Sequence, residues 1–232
     1  MSDLKHDCSS LVKFSEAIPY LPKNLSMAFV SGFGNTMKMM NQVLKTYKGF
    51  DWYFKGLGPT LVPDNEIIIL PHNGEWGGVE SEIIAIHSID ADKHPKYLGY
   101  TLGIDFTKTG MRRKNRQLTN LSHLSKTVIS NHVICEPYPL NKVINTKIYR
   151  EGQLVFNASG DAGKDNMFVA PEQLFGYLFD NTELIPGAIF YTLTGATISS
   201  DKAGISLQNG DEIELETDEL KLSTTYLKEN HS

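Results

Sequence analysis

The sequence predicts an α+β fold in which a mixed or antiparallel β-sheet roll carries short flanking helices. Segments with the composition of strands outnumber helical segments, and the two kinds do not alternate regularly along the 232 residues. The 19 glycines and 10 prolines are scattered through the chain, as expected where many short elements are joined by tight turns. This pattern disfavours a doubly wound parallel sheet, which requires regular alternation of strand and helix.

Residues 1–50 differ in pattern from the rest. Asn35 or Thr36 is a candidate cap for a helix from Met37 to Tyr47, whose apolar side chains share one face. We therefore expect a helical, lid-like N-terminal segment at 1–50 and a catalytic-type domain at 51–232.

The elements of the second part are mostly strands bounded by turn residues. A short helix is expected from Pro171 to Leu178, since proline suits a first helical turn and apolar residues follow at helical spacing. A turn at Glu151-Gly152 divides one long strand segment into a hairpin. The predicted strands are Glu66–Leu70, Val79–Ile86, Tyr97–Phe106, Lys147–Phe156, Ala188–Leu193, Asp211–Glu216 and Leu220–Leu227.

Composition excludes several classes of protein. The net charge is −5, from 22 Lys+Arg against 27 Asp+Glu, which argues against nucleic acid or an anionic membrane as partner. No apolar run is long enough to span a bilayer, and the polar N-terminus does not resemble a signal peptide. Two distant cysteines, Cys8 and Cys135, exclude a disulfide framework and suit a reducing compartment. We expect a soluble, cytoplasmic protein.

Glu80-Ser81-Glu82 is the most informative tripeptide. On a strand, Glu80 and Glu82 point to the same face, and the residues Val79 and Ile83–Ile86 indicate that this strand is largely buried. Two adjacent carboxylates in an apolar strand are costly unless a cation lies between them, and oxygen ligands suit Mg²⁺ or Mn²⁺. The alternative is an edge strand whose glutamates face water.

Asp105 is the candidate third carboxylate. It ends another apolar strand, and beside the Glu80–Glu82 strand it would complete a set of three oxygen ligands with open positions for substrate and water. The alternative for Asp105 is an aspartate that initiates a turn.

Short blocks in a fixed order resemble the fumarylacetoacetate hydrolase (FAH) superfamily over roughly residues 50 to 227. They are Tyr53-Phe54-Lys55 with Gly58-Pro59, Glu80-Ser81-Glu82, Gly99-Tyr100-Thr101 leading to Asp105, Ser125-Lys126, Leu193-Thr194-Gly195, and Leu207-Gln208-Asn209-Gly210-Asp211. The first block and the region around Leu193 are most similar to the 2-keto-3-deoxy sugar-acid dehydratase branch. The resemblance implies an FAH-type mixed β-sheet roll.

The resemblance also implies roles for individual residues. Glu80, Glu82 and Asp105 would bind Mg²⁺ or Mn²⁺, and Lys126 would be catalytic. Lys55 and Thr194 would bind substrate, a small anionic 2-oxo acid, although Lys55 could instead hold a metal ligand in place. Arg116 belongs to a basic cluster with Arg112, Arg113 and Lys114, read either as a solvated loop or as a clamp for an acidic substrate. A homodimer is expected from the resemblance.

The implied activity is metal-dependent chemistry on a 2-oxo or 1,3-dicarbonyl acid through a metal-stabilised enolate. Most of the superfamily hydrolyses C–C bonds, so a hydrolase is one expectation. A lyase, either a sugar-acid dehydratase or a 2-oxo acid decarboxylase or tautomerase, is the alternative, because the usual water-activating His-x-x-Glu pair has no counterpart at Asn35, Met37 or Met39. Departures at Ile104, Thr109, Gly110 and Ala196 leave a non-catalytic ligand-binding protein as a third hypothesis.

Overall fold

In the described part of the chain, two β-sheets built from fifteen strands form the architecture, and three short α-helices flank them. The computed structural model describes residues 11–13, 17–38, 51–70 and 77–229. The helices are α1 (Thr109–Lys114), α2 (Thr119–Ser122) and α3 (Pro171–Asp180). The predicted α+β class with a mixed sheet and short helices is confirmed.

The larger sheet contains ten strands and holds the candidate site. Its main path runs β1-β9-β7-β6-β12-β2-β3, with β13 paired to β6, and β4 and β8 attached beside β7. The strands are β1 (Leu11–Lys13), β2 (Ala28–Gly34), β3 (Asp51–Leu57), β4 (Leu61–Pro63), β6 (Gly78–Ile89), β7 (Pro95–Thr107), β8 (Thr127–Ile129), β9 (His132–Ile134), β12 (Ile189–Leu193) and β13 (Ile198–Ser199).

The smaller sheet contains five strands in the order β11-β10-β14-β15-β5. Its strands are β5 (Ile67–Leu70), β10 (Lys142–Arg150), β11 (Gln153–Ala162), β14 (Glu212–Glu216) and β15 (Lys221–Lys228). A turn at residues 151 and 152 joins β10 to β11, as predicted. Most pairings are antiparallel, whereas β2–β12, β4–β8 and β5–β15 are parallel, so both sheets are mixed.

The larger sheet curls back on itself. Strand β3 continues through a 3₁₀ turn at Gly58–Thr60 into β4, which pairs with β8, and β8 pairs with β7. The chain from the β3 edge therefore returns to the middle of the sheet. This closure brings residues of β3 over the end of β7, which lies four strands away along the main path.

The main core lies between the sheets and helix α3. It includes Ile83 and Leu102 of the larger sheet, Ile144 and Ile213 of the smaller sheet, and Leu174 of the helix. Apolar residues at alternating strand positions and along one helix face explain this packing. Sheet-to-sheet contact closes one side of β6, so polar groups on that strand are removed from water.

The N-terminal segment does not follow the predicted boundary at residue 50. Strand β2 lies within 1–50 and pairs with β12 and β3 in the larger sheet, so this part of the segment is strand where a helical, lid-like piece was expected. Val30 and Phe33 are fully buried, and burial of this apolar run against the sheet explains the difference. Most of the helix predicted from Met37 to Tyr47 lies outside the described residues, and the lid-like role stays a prediction.

Candidate metal centre

Three carboxylates lie on one face at the centre of the larger sheet. Glu80 and Asp105 are directly opposite each other in the antiparallel β6–β7 pair, and Glu82 is two residues along β6. Their exposed fractions are 6%, 1% and 0% for Glu80, Glu82 and Asp105. The alternative of an edge strand with solvated glutamates is therefore excluded, because β6 is paired on both sides.

Asp105 is held by three polar side chains. Lys55 forms an ion pair with Oδ1, and both side chains are completely buried. The Tyr53 hydroxyl donates to Oδ2 at 2.8 Å, and Nδ1 of His123 lies 3.0 Å from the same oxygen. These contacts fix the orientation of the Asp105 carboxylate. Asp105 also lies within β7, so the alternative of an aspartate that initiates a turn is excluded.

Tyr53 and Lys55 reach Asp105 because they alternate on β3. Residues 53 and 55 share the buried face of the strand, while Phe54 between them points outward. The curl of the sheet places that face over the end of β7. Of the two roles that the resemblance implied for Lys55, the structure shows the contact with a predicted metal ligand, since Lys55 is the direct counter-ion of Asp105.

His123 is a site residue that the sequence analysis did not identify. It follows helix α2, is 3% exposed and stacks on the Tyr53 ring with centroids 3.7 Å apart. No histidine spacing marked it. The available signal was its position three residues before Lys126, in the segment that the superfamily resemblance assigns to the site.

Glu82 is positioned by the loop after β12. The backbone N–H of Gly195 donates to Glu82 Oε2 at 2.8 Å. Gly195 has a φ of +117°, and a Cβ there would lie 1.8 Å from the hydroxyl oxygen of Thr36. Only glycine fits this combination of backbone angle and close approach, so the Leu193-Thr194-Gly195 block serves to hold a carboxylate.

Burial and mutual repulsion raise the pKa of both glutamates. For Glu82 the pKa is well above its usual value because of burial and the neighbouring Asp105 and Glu80 charges. Burial and Asp105 also raise the pKa of Glu80. For Asp105, burial acts in the same direction, but Lys55 and His123 outweigh it and lower the pKa to about 2. Asp105 is thus a stable anion, whereas the glutamates lack sufficient positive charge.

The donor set fits a divalent cation. One ligand atom from each of Glu80, Asp105 and His123 lies within 4.8 Å of the others. Glu82, the remaining predicted ligand, points to the same face of β6 but lies outside this group. Arg112 of α1 lies near Glu80, with Nη2 3.6 Å from Oε1, and the charge of Lys202 also favours the ionised form of Glu80. A divalent ion would offset the charge that makes these buried carboxylates costly, and hard oxygen donors suit Mg²⁺ or Mn²⁺.

Lys126 lines a cavity of about 430 Å³ that also contacts Lys55. Ser125 and Lys126 contribute polar groups to its wall, whereas Ile69 and Leu124 contribute apolar surface. Lys55 lies between this cavity and Asp105, and none of the three carboxylates lines the cavity itself. The catalytic role of Lys126 stays a prediction.

Two predicted substrate ligands have other surroundings than expected. The Thr194 hydroxyl is buried, donates to the Ile83 carbonyl at 2.9 Å and lies 2.7 Å from the Tyr138 hydroxyl. These contacts hold the Thr194 side chain just after β12, and its role as a substrate ligand stays a prediction. Arg116 begins a 3₁₀ turn, and its side chain lies outside the described residues. Of the basic cluster, Arg112 is the residue recorded at the carboxylates.

Comparison with solved structures identifies the fold. A crystal form of 2-keto-3-deoxyarabinonate dehydratase matches with a TM-score of 0.72 and 21% identity, covering 88% of this chain and 75% of that one. The chain has the fumarylacetoacetate hydrolase fold. A 2-keto-3-deoxy-D-arabinonate dehydratase complexed with magnesium and 2,5-dioxopentanoate matches at a TM-score of 0.70 and 23% identity, covering 88% of this chain and 74% of that one.

A third structure with the FAH fold is 5-carboxymethyl-2-hydroxymuconate delta-isomerase from Mycobacterium smegmatis, with a TM-score of 0.67, 15% identity, and coverage of 89% of this chain and 81% of that one. No protein-family model matches the sequence, and no curated protein matches it significantly. The resemblance found from the ordered motifs is confirmed at the level of the fold.

Among the described residues, no helix is long and apolar enough to cross a membrane. The homodimer, the cytoplasmic location and the absence of a nucleic-acid partner stay predictions.

Proposed function

We propose that the chain is a divalent-metal-dependent enzyme that acts on a small anionic 2-oxo acid by lyase-type chemistry. The observation that carries this proposal is the buried set of Glu80, Glu82 and Asp105 beside Lys55, in a fold shared with a magnesium-complexed dehydratase. A purely structural role would not explain two glutamates with raised pKa values on the interior strand β6.

Glu80, Glu82 and Asp105 would hold the ion. When bound, Mg²⁺ or Mn²⁺ would supply a Lewis acid that polarises the carbonyl of a 2-oxo acid and stabilises the negative charge developing on its oxygen. The chain's own residues orient this centre. Lys55 fixes Asp105 from one side, and the Gly195 N–H fixes one oxygen of Glu82.

Local cations would attract the acid, although the chain as a whole is negative. Lys126 and Lys55 lie on the wall of the cavity, Lys55 is also paired with Asp105, and Arg112 approaches Glu80 from α1. We assign Lys126 to the substrate oxygens, where its ammonium would offset negative charge during the reaction. A cavity of about 430 Å³ suits a small molecule.

Lyase chemistry is favoured over hydrolysis by the residues near Glu82. C–C hydrolysis needs an activated water, which the superfamily's His-x-x-Glu pair provides. In the described stretch 35–38, the Thr36 hydroxyl donates to the Thr194 carbonyl and Met37 forms a bridge with Met167. Neither supplies a base. Elimination or isomerisation requires only proton transfer beside the carbonyl, and C–C hydrolysis is the second candidate, supported by the resemblance.

The direct test is turnover with Mg²⁺ or Mn²⁺ of 2-keto-3-deoxy sugar acids, oxaloacetate and acylpyruvates, with products identified by mass spectrometry. We expect loss of water from a 2-keto-3-deoxy sugar acid, abolished by EDTA and restored by the ion. Cleavage of an acylpyruvate into two acids would instead establish the hydrolase. Absence of metal-dependent turnover on every compound would overturn the enzymatic proposal.

A matched pair of variants separates metal binding from catalysis. Glu82→Gln should lose most Mg²⁺ binding in calorimetric titration, because a neutral amide replaces a buried carboxylate ligand. Glu212→Gln, an equal change at an exposed position on β14, should bind the ion like the unmodified protein. Metal binding without turnover would favour the non-catalytic hypothesis, and equal, negligible binding by all three proteins would exclude the metal centre.

A further inference from the structure

The geometry points to His123 as a fourth metal ligand, which gives the centre one imidazole nitrogen and a preference for Mn²⁺ over Mg²⁺. This inference rests on the proposed metal-dependent function and specifies which ion serves it. None of the motifs that resemble the superfamily contains His123. It enters the site only through the tertiary structure.

The position of His123 is that of a ligand. Its Nδ1 lies 3.0 Å from Asp105 Oδ2, and both residues belong to the group whose ligand atoms lie within 4.8 Å of one another, together with Glu80. Two donors about 2.1 Å from one ion, at a right angle to each other, lie about 3 Å apart. The observed separation therefore suits neighbouring ligands of a single ion.

The ring is also held in place. Tyr53 stacks on it with an interplanar angle of 13°, and the Tyr53 hydroxyl donates to the same Asp105 oxygen that His123 faces. Burial of His123 prevents the ring from turning out to solvent. An imidazole fixed in this way can bind an ion with little loss of side-chain entropy.

A nitrogen donor changes which ion the centre prefers. Mg²⁺ favours oxygen ligands and retains several waters, whereas imidazole suits first-row transition ions. Three carboxylates with one imidazole form a mixed oxygen and nitrogen set that Mn²⁺ accepts more readily than Mg²⁺ does. The competing interpretation is that His123 only donates a hydrogen bond to Asp105, in which case the two ions would bind through oxygen alone.

Pulsed electron paramagnetic resonance of the Mn²⁺-loaded protein distinguishes the two interpretations. Direct coordination by His123 predicts ¹⁴N modulation typical of a bound imidazole, which changes to the ¹⁵N pattern when the protein is prepared with ¹⁵N-histidine. This measurement uses the unmodified chain, so it does not depend on the folding of any variant. Mn²⁺ that binds without nitrogen coupling would overturn the assignment of His123 while leaving the carboxylate centre intact.

Two variants locate the nitrogen. His123→Asn should remove the modulation and weaken Mn²⁺ binding by roughly 10- to 100-fold, with a change of less than about threefold for Mg²⁺. His94→Asn is the control, since His94 is exposed and lies in the other described group with possible ligand spacing, Asp90, Asp92 and His94. Loss of the signal in His94→Asn would place the ion on the surface instead. Failure of the unmodified protein to bind either ion would refute the proposed function itself.

Discussion

Glu80 and Glu82 carry the largest electrostatic cost among the site residues. Both are almost fully buried, and Asp105 opposes the ionisation of each. Asp105 keeps its charge because Lys55 and His123 face it. At the scale of single residues, the site is therefore one stable anion beside two carboxylates whose ionised forms are only partly compensated by neighbouring groups.

The first prediction concerns pH and metal. Because the pKa of Glu80 and of Glu82 is raised in the folded state, their contribution to stability is present below the unfolded pKa of about 4.5 and is lost as pH rises through the folded values. We expect Mg²⁺ to raise the Tm more at pH 7.5 than at pH 5, as measured by thermal unfolding against EDTA. An equal or larger effect at pH 5 would contradict this. Glu82→Gln should reduce the difference.

The second prediction concerns the ion pair of Lys55 with Asp105. Lys55→Met leaves a buried carboxylate without its ammonium, so the free energy of unfolding should fall by about 3 to 5 kcal/mol in urea denaturation. Lys96→Met is the matched control, because Lys96 forms an exposed pair with Asp90 at 3.3 Å and should lose less than about 1 kcal/mol. Similar losses of unfolding free energy in both variants would show that the buried ion pair stabilises the protein no more than the Lys96–Asp90 pair does.

At the scale of elements, strand register and one loop assemble the carboxylates. The antiparallel β6–β7 register places Asp105 opposite Glu80, so a single pair of strands supplies all three acidic side chains. The loop after β12 then approaches β6 closely enough for the Gly195 N–H to reach Glu82. Strand pairing determines which carboxylates meet, and the loop determines how one of them is oriented.

The third prediction tests that loop. Gly195→Ala would place a methyl group against Thr36 at a φ of +117°, so we expect a loss of about 1 to 3 kcal/mol and weaker Mg²⁺ binding. Gly210→Ala is the control, since Gly210 also has a positive φ but no heavy atom lies within 4 Å of the added Cβ. Urea denaturation and calorimetric titration measure the two effects. Unchanged Mg²⁺ affinity in Gly195→Ala would separate the loop from the metal centre.

At the scale of the whole molecule, the site depends on the curl of one sheet and the packing of the other against it. Lys55 and Asp105 are 50 residues apart in sequence and meet only because β3 returns through β4 towards β7. Gly160 of β11 allows the smaller sheet to approach β13, and β13 pairs with β6 at Glu80. The two sheets thus press together behind the metal centre.

The fourth prediction tests this contact between the sheets. A Cβ at Gly160 would lie 2.8 Å from Ile198 Cγ1 and 3.0 Å from the Thr197 carbonyl oxygen, so Gly160→Val should cost about 1 to 3 kcal/mol in urea denaturation. Displacement of β13 should also weaken Mg²⁺ binding. Asn157→Val, at an exposed position on the same strand, should leave both quantities unchanged. Equal behaviour of the two variants would show that the close approach is unimportant.

The sequence by itself determined the strand pattern, the α+β class, the shared face of Glu80 and Glu82, and the position of Asp105 near the end of another apolar strand. These follow from local periodicity: alternation puts Glu80 and Glu82 on the same side of β6, and Asp105 ends the next apolar strand. Such features need no knowledge of which distant segments meet. The prediction of a separate helical segment at 1–50 did not include β2, which pairs within the larger sheet. Apolar residues in a short segment do not show which sheet they join.

Only the tertiary structure decided what surrounds those carboxylates. Lys55 was found as the counter-ion of Asp105, His123 entered the centre, and Arg112 was found near Glu80. Thr194 was placed in a hydrogen-bond network with Tyr138. Each of these contacts joins residues that are not neighbours in sequence, and closure of the curled sheet brings them together. Local periodicity carries no information about that closure, so the sequence could identify the acidic ligands but not the groups that hold and compensate them.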